Sequence, residues 1–421
     1  MVLNPAWVSL TALALAVVLG IVTRLNIGLL AFPLAYLVGV GTGGLTVGEV
    51  TAGFPAPLFL VLVAVTLVFA QAQVNGTLAK LARYAVRLGH GNVGLIPVIF
   101  FGLTVGLSTL GAGNIAAAAL MAPLAMAAAG RMGISPFLMA IMIGNAANAG
   151  AYSPIAPTGV VATELMAQAG LGGHVWRTYW NTFIAQSVVC FAGYLLLGGT
   201  ALLRSGRAVT AEAGSAGEDL DPLNRTQWFT LGVVVAMLLA VAVGRVEVVV
   251  AAFAAAAVLA LARVADLEAA IKSVPWGTVL MVCGVSTLVS VLEKTGGIDA
   301  IVALVARFST ASTVTGTMAL VSGIVSAYSS TMGVVLPTFL PTVPGLAQQL
   351  GADPMAIASS INVGGHLVDV SPLSTVGALC IAAAAAGTDR QKLFNQVLAW
   401  GLSMAVVGAL VCWLLFGVLG V

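Results

Sequence analysis

Residues 136–167 read PFLMAIMIGNAANAGAYSPIAPTGVVATELMA, and residues 354–386 read PMAIASSINVGGHLVDVSPLSTVGALCIAAAAA. Each stretch is apolar over more than the roughly 20 residues that a helix needs to cross a bilayer. Each is also interrupted at its middle, from Asn145 to Pro154 in the first and from Asn362 to Pro372 in the second. Proline has no N–H to give to a helix, and the residue before it avoids helical angles. Both stretches are therefore expected to be membrane helices broken near mid-bilayer. Irregular backbone at that depth is tolerated only where it is buried in protein or lines a wet cavity.

Working outward, the two stretches are parts of a repeat that covers nearly the whole chain. At an offset of 218 residues Pro123 meets Pro341, Gly133 meets Gly351, Pro136 meets Pro354, Ser153 meets Ser371, Pro154 meets Pro372 and Gly159 meets Gly377. Three coinciding prolines exceed the roughly 0.3 expected by chance at a fixed offset. Nearer the start the offset drifts to 220, where Pro55 meets Pro275. Each half has a second unusual element. Gly94–Gly130 carries Ser108-Thr109-Leu110-Gly111-Ala112-Gly113-Asn114 between two short apolar arms, and its counterpart runs Ser326 to Gly333. Both read as re-entrant hairpins with polar tips.

The fold class expected is all-α and polytopic, with two repeats, each of five transmembrane helices (one broken) plus one re-entrant hairpin. Five is odd, so the second repeat starts on the opposite side and the repeats are inverted. The boundaries are 1–203 for the first repeat, 204–226 for a polar cytoplasmic linker and 227–421 for the second. Placing the N-terminus outside puts 12 of the 16 Lys and Arg residues on the cytoplasmic side, among them Arg24, Lys80, Arg83, Arg87 and Arg207, and leaves Arg177, Arg245, Lys294 and Arg307 outside. The positive-inside rule selects this orientation, with both termini outside.

Composition agrees. The 421 residues are 60% hydrophobic and 7% charged, against about 25% charged in a soluble domain. Mean hydropathy is +1.10. The first apolar block, Trp7–Val22, has its only nearby charge, Arg24, behind it, so it reads as a first span and not a cleaved signal. Cys190, Cys283, Cys380 and Cys412 lie in apolar segments without metal spacing and read as small buried hydrophobes. A net charge of +2 without a basic, aromatic-laced cluster gives no reason to expect nucleic acid. Lys80, Arg83 and Arg87 read as a headgroup anchor. No Walker, GxGxxG or HExxH motif is present, and no Ser or Cys nucleophile accompanies His366 and Asp369, so an enzyme is not expected.

Inverted repeats bring their breaks together near the midplane. The positive ends of half-helices then face an anion, and freed carbonyls can hold a cation. Small oxygens and amides cluster at these points: Ser108, Thr109, Asn114, Asn145, Asn148, Ser153 and Thr158 in the first half, and Ser329, Ser330, Thr331, Asn362, Ser371, Ser374 and Thr375 in the second. Hydroxyls and amides suit a carboxylate. Hard oxygens suit Na⁺, for which Ser108, Asn114, Asn145, Thr331, Asn362 and Asp369 are the candidate ligands. The competing reading is that small polar residues only let helices pack closely. His366 and Asp369 break the symmetry, since Asn148 and Ala151 stand at the matching positions. Ionisable groups inside a membrane mark function by default. Asp369 could ligate a cation or carry a proton, and His366 could bind a carboxylate or carry a proton. Alternatively they pair with each other structurally. Glu164 is either functional or a solvated helix end.

With these residues in hand, the sequence resembles the ion transporter superfamily, which includes the divalent anion–sodium symporters. The stretch from Ser371 to Cys380 is more particularly similar to MatC-type malonate and dicarboxylate carriers. The resemblance implies that the hairpin tips, Ser108-Thr109 through Asn114 and Ser329-Ser330-Thr331, hold Na⁺ and substrate carboxylates, although neither tip reads Ser-Asn-Thr as the family's do. It further implies a homodimer in the bilayer of the cell (inner) membrane and an elevator mechanism. Residues 1–90 and 227–310 would be scaffold, residues 91–170 and 311–387 transport elements, and 178–203 and 393–421 the remaining spans. The function expected is import of a small dicarboxylate, malonate or a C4 acid, with Na⁺. The alternatives are proton coupling (H⁺) through Asp369 and His366, and a passive anion channel.

Overall fold

Gly, Pro and Asn divide the apolar sequence into helices, and the structure, a computed structural model, is helical throughout the residues it describes: 4–23, 25–80, 93–204, 222–242, 246–385 and 387–420. The first half contains α1 (Pro5–Thr23), α2 (Ile27–Gly41), α3 (Ala56–Val74), α4 (Leu95–Leu107), α5 (Gly113–Met132), α6 (Pro136–Gly150), α7 (Pro157–Gln168) and α8 (Val175–Tyr194). In the second half are α9 (Arg225–Ala242), α10 (Val248–Leu261), α11 (Trp276–Lys294), α12 (Gly297–Arg307), α13 (Val314–Tyr328), α14 (Val343–Leu350), α15 (Pro354–Val368), α16 (Thr375–Ala382) and α17 (Arg390–Cys412). Among the described residues five helices are long and apolar enough to cross a membrane, or six if the bent pair in the second hairpin is one span, and four shorter apolar helices accompany them. Leu37, Leu196, Leu261 and Val250 lie exposed, as side chains facing hydrocarbon would. The protein is a multi-pass membrane protein.

Both broken helices begin alike. Ser135 accepts a hydrogen bond from the Leu138 N–H, Asp353 accepts one from the Met355 N–H, and a proline occupies the first helical position. The breaks come later than the sequence suggested. Asn145 and Asn148 remain inside α6, and Asn362 and His366 inside α15. The unwound residues are 151–156 and 369–374. Asn, Ala and Gly tolerate the helix; it is the approach of Pro154 and Pro372 that ends it. Each unwound segment folds back onto the first turn of the next half-helix. A Cβ at Gly159 would stand 1.9 Å from the Ser153 carbonyl oxygen, and one at Gly377 would stand 2.1 Å from that of Ser371, so only glycine fits.

Both polar-tipped elements are interrupted at the expected residues. The first passes through a π-helical turn at Ser108–Ala112, with Gly111 at φ 109° and Gly113 at φ 76°, angles that L side chains rarely adopt. Its arms are unequal: α5 has 20 residues against 13 in α4. The second hairpin turns through 119° between α13 and the stretch starting at Thr331.

Contacts between the halves are reciprocal. α2 packs along α11, and α10 packs along α3. The hairpin arms α4 and α5 pack on α6, and α13 and α14 pack on α15. The half-helix α16 crosses over to α5 of the first hairpin, while α7 reaches the 331–342 stretch of the second. Each break is therefore held partly by the other half's hairpin. At one end of the bundle the Lys80 ammonium donates to the Pro222 carbonyl (2.9 Å) and to Gln227 Oε1 (3.3 Å), joining the halves again. Arg24, Arg83, Arg87, Arg207, Arg245 and most of the 204–226 linker lie outside the described residues.

Candidate functional site

One cavity of about 280 Å³ opens where these elements meet. The first hairpin contributes Asn114 and Ile115, α7 contributes Thr158, and the second hairpin contributes Ser329 through Met332. His366, Asp369 and Leu373 through Val376 come from the second break. Gly20, Leu25 and Ile27 from the α1–α2 corner, with Thr278 and Met281 from α11, complete the lining. Among the described residues no Arg or Lys lines it.

Several helix starts converge here. Asn114 and Ile115 belong to the first turn of α5, Thr158 to that of α7, and Thr375 and Val376 to that of α16. Ser374 caps α16, its hydroxyl accepting from the Gly377 N–H at 3.5 Å and donating to the Asp369 carbonyl. Ser330 caps the start of the second hairpin's return arm, accepting from the Gly333 N–H at 3.1 Å. Helix N-termini carry partial positive charge and unpaired N–H groups, so their convergence favours a small anion.

Asp369 has the opposite setting. It is the C-cap residue of α15, at the negative end of that helix, and its side chain is 13% exposed. Its Oδ1 accepts from Ser326 Oγ at 3.1 Å and its Oδ2 from Thr331 Oγ1 at 2.9 Å. The two hydroxyls are themselves 2.6 Å apart. A carboxylate beside a helix C-terminus, ringed by hydroxyls, could hold a cation. These are hard-oxygen donors, and among the described residues no three His, Cys, Asp or Glu side chains gather as a transition-metal site requires.

His366 ties this cluster to the first half. Its Nε2 lies 3.9 Å from Asp369 Oδ2, and its Nδ1 lies 2.9 Å from the Tyr152 hydroxyl and 3.3 Å from the Asn362 carbonyl. Tyr152 OH also donates to that carbonyl at 3.2 Å. Asn148 completes the link: its amide accepts from Asn114 Nδ2 at 3.0 Å and donates to the His366 carbonyl at 3.0 Å. One chain of hydrogen bonds thus runs from the first hairpin through both breaks toward Asp369.

Of the residues singled out in the sequence, Asn114, Thr158, Ser329, Ser330, Thr331, His366, Asp369, Ser374 and Thr375 line the cavity. The others do not. Ser108 is buried and donates to the Ala147 carbonyl at 2.7 Å, while Thr109 bonds Tyr179 at 3.0 Å. Asn148 is a buried bridge. Ser153 is buried in its turn, and Ser371 accepts from the Leu373 N–H at 3.2 Å. Asn145 donates to the Ile141 carbonyl, Asn362 donates to the Met166 sulfur, and both leave a buried amide oxygen without a partner. Glu164 accepts from Gln168 and stands apart from the cavity. Ser326, Tyr152, Thr278 and Met281 were not among the candidates. Alignment of the halves could have flagged Ser326, which opens the second hairpin motif, but α11 carries no local polar signal.

Comparison with known proteins agrees with this architecture. Residues 3–151 match the family model described as "Dicarboxylate carrier protein MatC N-terminus". The fold is similar to that of the YdaH transporter of Alcanivorax borkumensis, at 16% identity and a TM-score of 0.58, covering 99% of this chain and 98% of that one. It is also similar to that of MtrF of Neisseria gonorrhoeae, described with a class of antimetabolite efflux pumps, at 12% identity and a TM-score of 0.56, covering 90% of this chain and 84% of that one. No curated protein matches the sequence. The resemblance to MatC-type carriers is borne out over residues 3–151, which match that family's model, and the fold is similar to that of two solved membrane transporters.

Proposed function

We propose that the chain is a secondary active symporter that imports a small dicarboxylate, malonate or a C4 acid, together with Na⁺. The observation that carries this reading is the cavity that helix N-termini from both halves share with Asp369 at a helix C-terminus. The N-termini suit the carboxylates. Asp369, Thr331 and neighbouring backbone oxygens suit the cation, whose charge lets the anion sit close to Asp369. A cavity of about 280 Å³ is at the small end of ligand sites, which span roughly 300–1,000 Å³, and this favours a short acid. Holding the anion by neutral donors permits its release.

The reciprocal packing of α2 with α11 and α3 with α10 supports reading the halves as oppositely oriented copies. In the elevator mechanism these helices, with α1, α9 and α12, form the scaffold of a homodimer. Hairpins and broken helices form the moving part, and α8 and α17, which pack on α6 and α15, travel with it. The α1–α2 corner and the start of α11, which line the cavity, lie on the side that the positive-inside reading makes cytoplasmic, which supports reading this as an inward-facing state. Uptake of radiolabelled malonate and succinate into proteoliposomes, with and without an inward Na⁺ gradient, is the test. Gradient-driven uptake is expected; absence of gradient-dependent uptake of every carboxylate refutes the proposal.

A second reading, proton coupling, draws on the 3.9 Å approach of His366 Nε2 to Asp369 Oδ2 and the Tyr152 hydroxyl on the other ring nitrogen. Uptake that follows a pH gradient and ignores Na⁺ selects it.

A further inference from the structure

The two hairpin tips are held in different ways. In the first, Ser108 donates to the Ala147 carbonyl of α6 at 2.7 Å, the Thr109 hydroxyl lies 3.0 Å from that of Tyr179 on α8, and Asn114 donates to Asn148 at 3.0 Å. Tyr179 is itself fixed. It is 6% exposed, stacks on Phe183 with ring centres 6.0 Å apart, and meets Trp176 and Trp180 edge to face at 5.9 and 5.2 Å. This tip also rests on the backbone of α6, since a Cβ at Gly150 would stand 2.9 Å from the Thr109 nitrogen. None of these contacts involves a charged group.

The second tip lacks that latch: Ala327 and Val397 stand where the first half has Thr109 and Tyr179. Its hydroxyls turn to one carboxylate instead, Ser326 to Asp369 Oδ1 at 3.1 Å and Thr331 to Oδ2 at 2.9 Å. Thr158 adds a long contact to the Met332 sulfur at 3.7 Å. The tip is joined to α13 through Ser329 and Ser330, whose backbone is extended at φ −135° and −123° and outside the helical ladder. It settles on a bare stretch of α15, where a Cβ at Gly365 would stand 2.5 Å from the Thr331 methyl.

We infer that the first tip is a fixed wall of the cavity, with Tyr179 as its positioning residue, and that the second tip is a lid closed by a cation at Asp369. This rests on the cation reading of Asp369 above. A cation that takes oxygens from Asp369 and Thr331 together finds the full set only when the lid is down. It therefore binds the closed form better and shifts the population toward it. At ten times its dissociation constant it favours the closed lid by about tenfold.

Hydrogen exchange of the full chain in nanodiscs, followed by mass spectrometry in NaCl and in KCl of equal strength, reads both tips at once. Amides of 326–335 are expected to exchange about tenfold more slowly in Na⁺ at ten times its dissociation constant, and those of 108–114 equally in both salts. Tyr179→Phe, and separately Thr109→Val, should speed exchange at 108–114 by about two- to tenfold and leave the Na⁺ response of 326–335 intact. Two variants guard against one failing to fold. Equal Na⁺ protection of both tips, or none at the second while a Na⁺ gradient still drives uptake, makes the inference wrong and leaves the symport reading standing. Unchanged exchange at 108–114 in both folded variants does the same. If Na⁺ neither protects 326–335 nor drives uptake, both fall.

Discussion

Replacing Asp369 by Asn removes one charge and little else. In the native cluster Ser326 and Thr331 each donate to one carboxylate oxygen and lie 2.6 Å from each other. An amide nitrogen in the Oδ2 position can donate to Thr331, which then donates to Ser326, which still donates to Oδ1. Every hydrogen bond survives by reversing one. The perturbation therefore reports the charge, and the fold is expected to persist. For a cation about 4 Å from the carboxylate, an effective dielectric near 20 gives roughly 4 kcal/mol. At about 1.4 kcal/mol per decade, that is on the order of a thousandfold in cation affinity.

The assay is the Na⁺ concentration for half-maximal uptake of a labelled dicarboxylate into proteoliposomes, with Na⁺-dependent thermal stabilisation as a check without transport. The expected result is loss of saturable Na⁺ dependence over the accessible range in both. Under the proton-coupled reading the same variant instead loses its response to a pH gradient. A folded Asp369→Asn protein with an unchanged Na⁺ half-saturation and an unchanged pH response refutes the reasoning, because the one buried carboxylate of the site would then have no part in coupling.

Tyr152→Phe strips a donor from the Asn362 carbonyl and a partner from His366, and should lower stability by about 1–3 kcal/mol in thermal unfolding; an unchanged midpoint argues against the buried link. Asn148→Ala cuts the bridge between Asn114 and the His366 carbonyl, with a similar expected loss, and should weaken dicarboxylate binding although the side chain lies outside the cavity. Equal affinity in that variant would make the bridge purely structural. Gly377→Ala forces a Cβ to 2.1 Å from the Ser371 carbonyl oxygen, and overpacking of this kind costs about 1–3 kcal/mol; wild-type uptake and stability would mean the break is not as tight as described. Malonate at a hundred times its dissociation constant should stabilise the protein by about 2.7 kcal/mol in Na⁺ and less in K⁺; equal stabilisation in both salts speaks against Na⁺ coupling.

Much of this molecule is legible in the sequence because a bilayer leaves few options. Apolar length marks the spans, and Pro154 and Pro372 mark the breaks. The tips at Gly111 and Ser330 were found because polar residues inside an apolar run are otherwise hard to explain. Helix ends were less legible. Asn145 and Asn362 look like the start of a break, yet no backbone clash arises there and α6 and α15 run on past them. The site was legible in its second half and less so in its first. Ser108 and Thr109 have the right chemistry, but their hydroxyls are taken by the Ala147 carbonyl and by Tyr179, partners 39 and 70 residues away that no local pattern reveals.

The asymmetry between the halves explains why a repeat can work as a coupled transporter. Two equivalent breaks would supply two similar anion-facing helix ends and no fixed negative charge. In this chain the second break has Asp369 where the first has Ala151, and His366 where the first has Asn148. Asn148 donates to the backbone of its own counterpart, His366, so the neutral member of the pair holds the ionisable member in place. In the proposed symport, a carboxylate at the end of α15 would repel a dianion arriving at the starts of α5, α7 and α16 until a cation intervenes. Binding of anion and cation is then interdependent: each makes the other's site favourable, and neither charge is compensated alone in a low-dielectric setting.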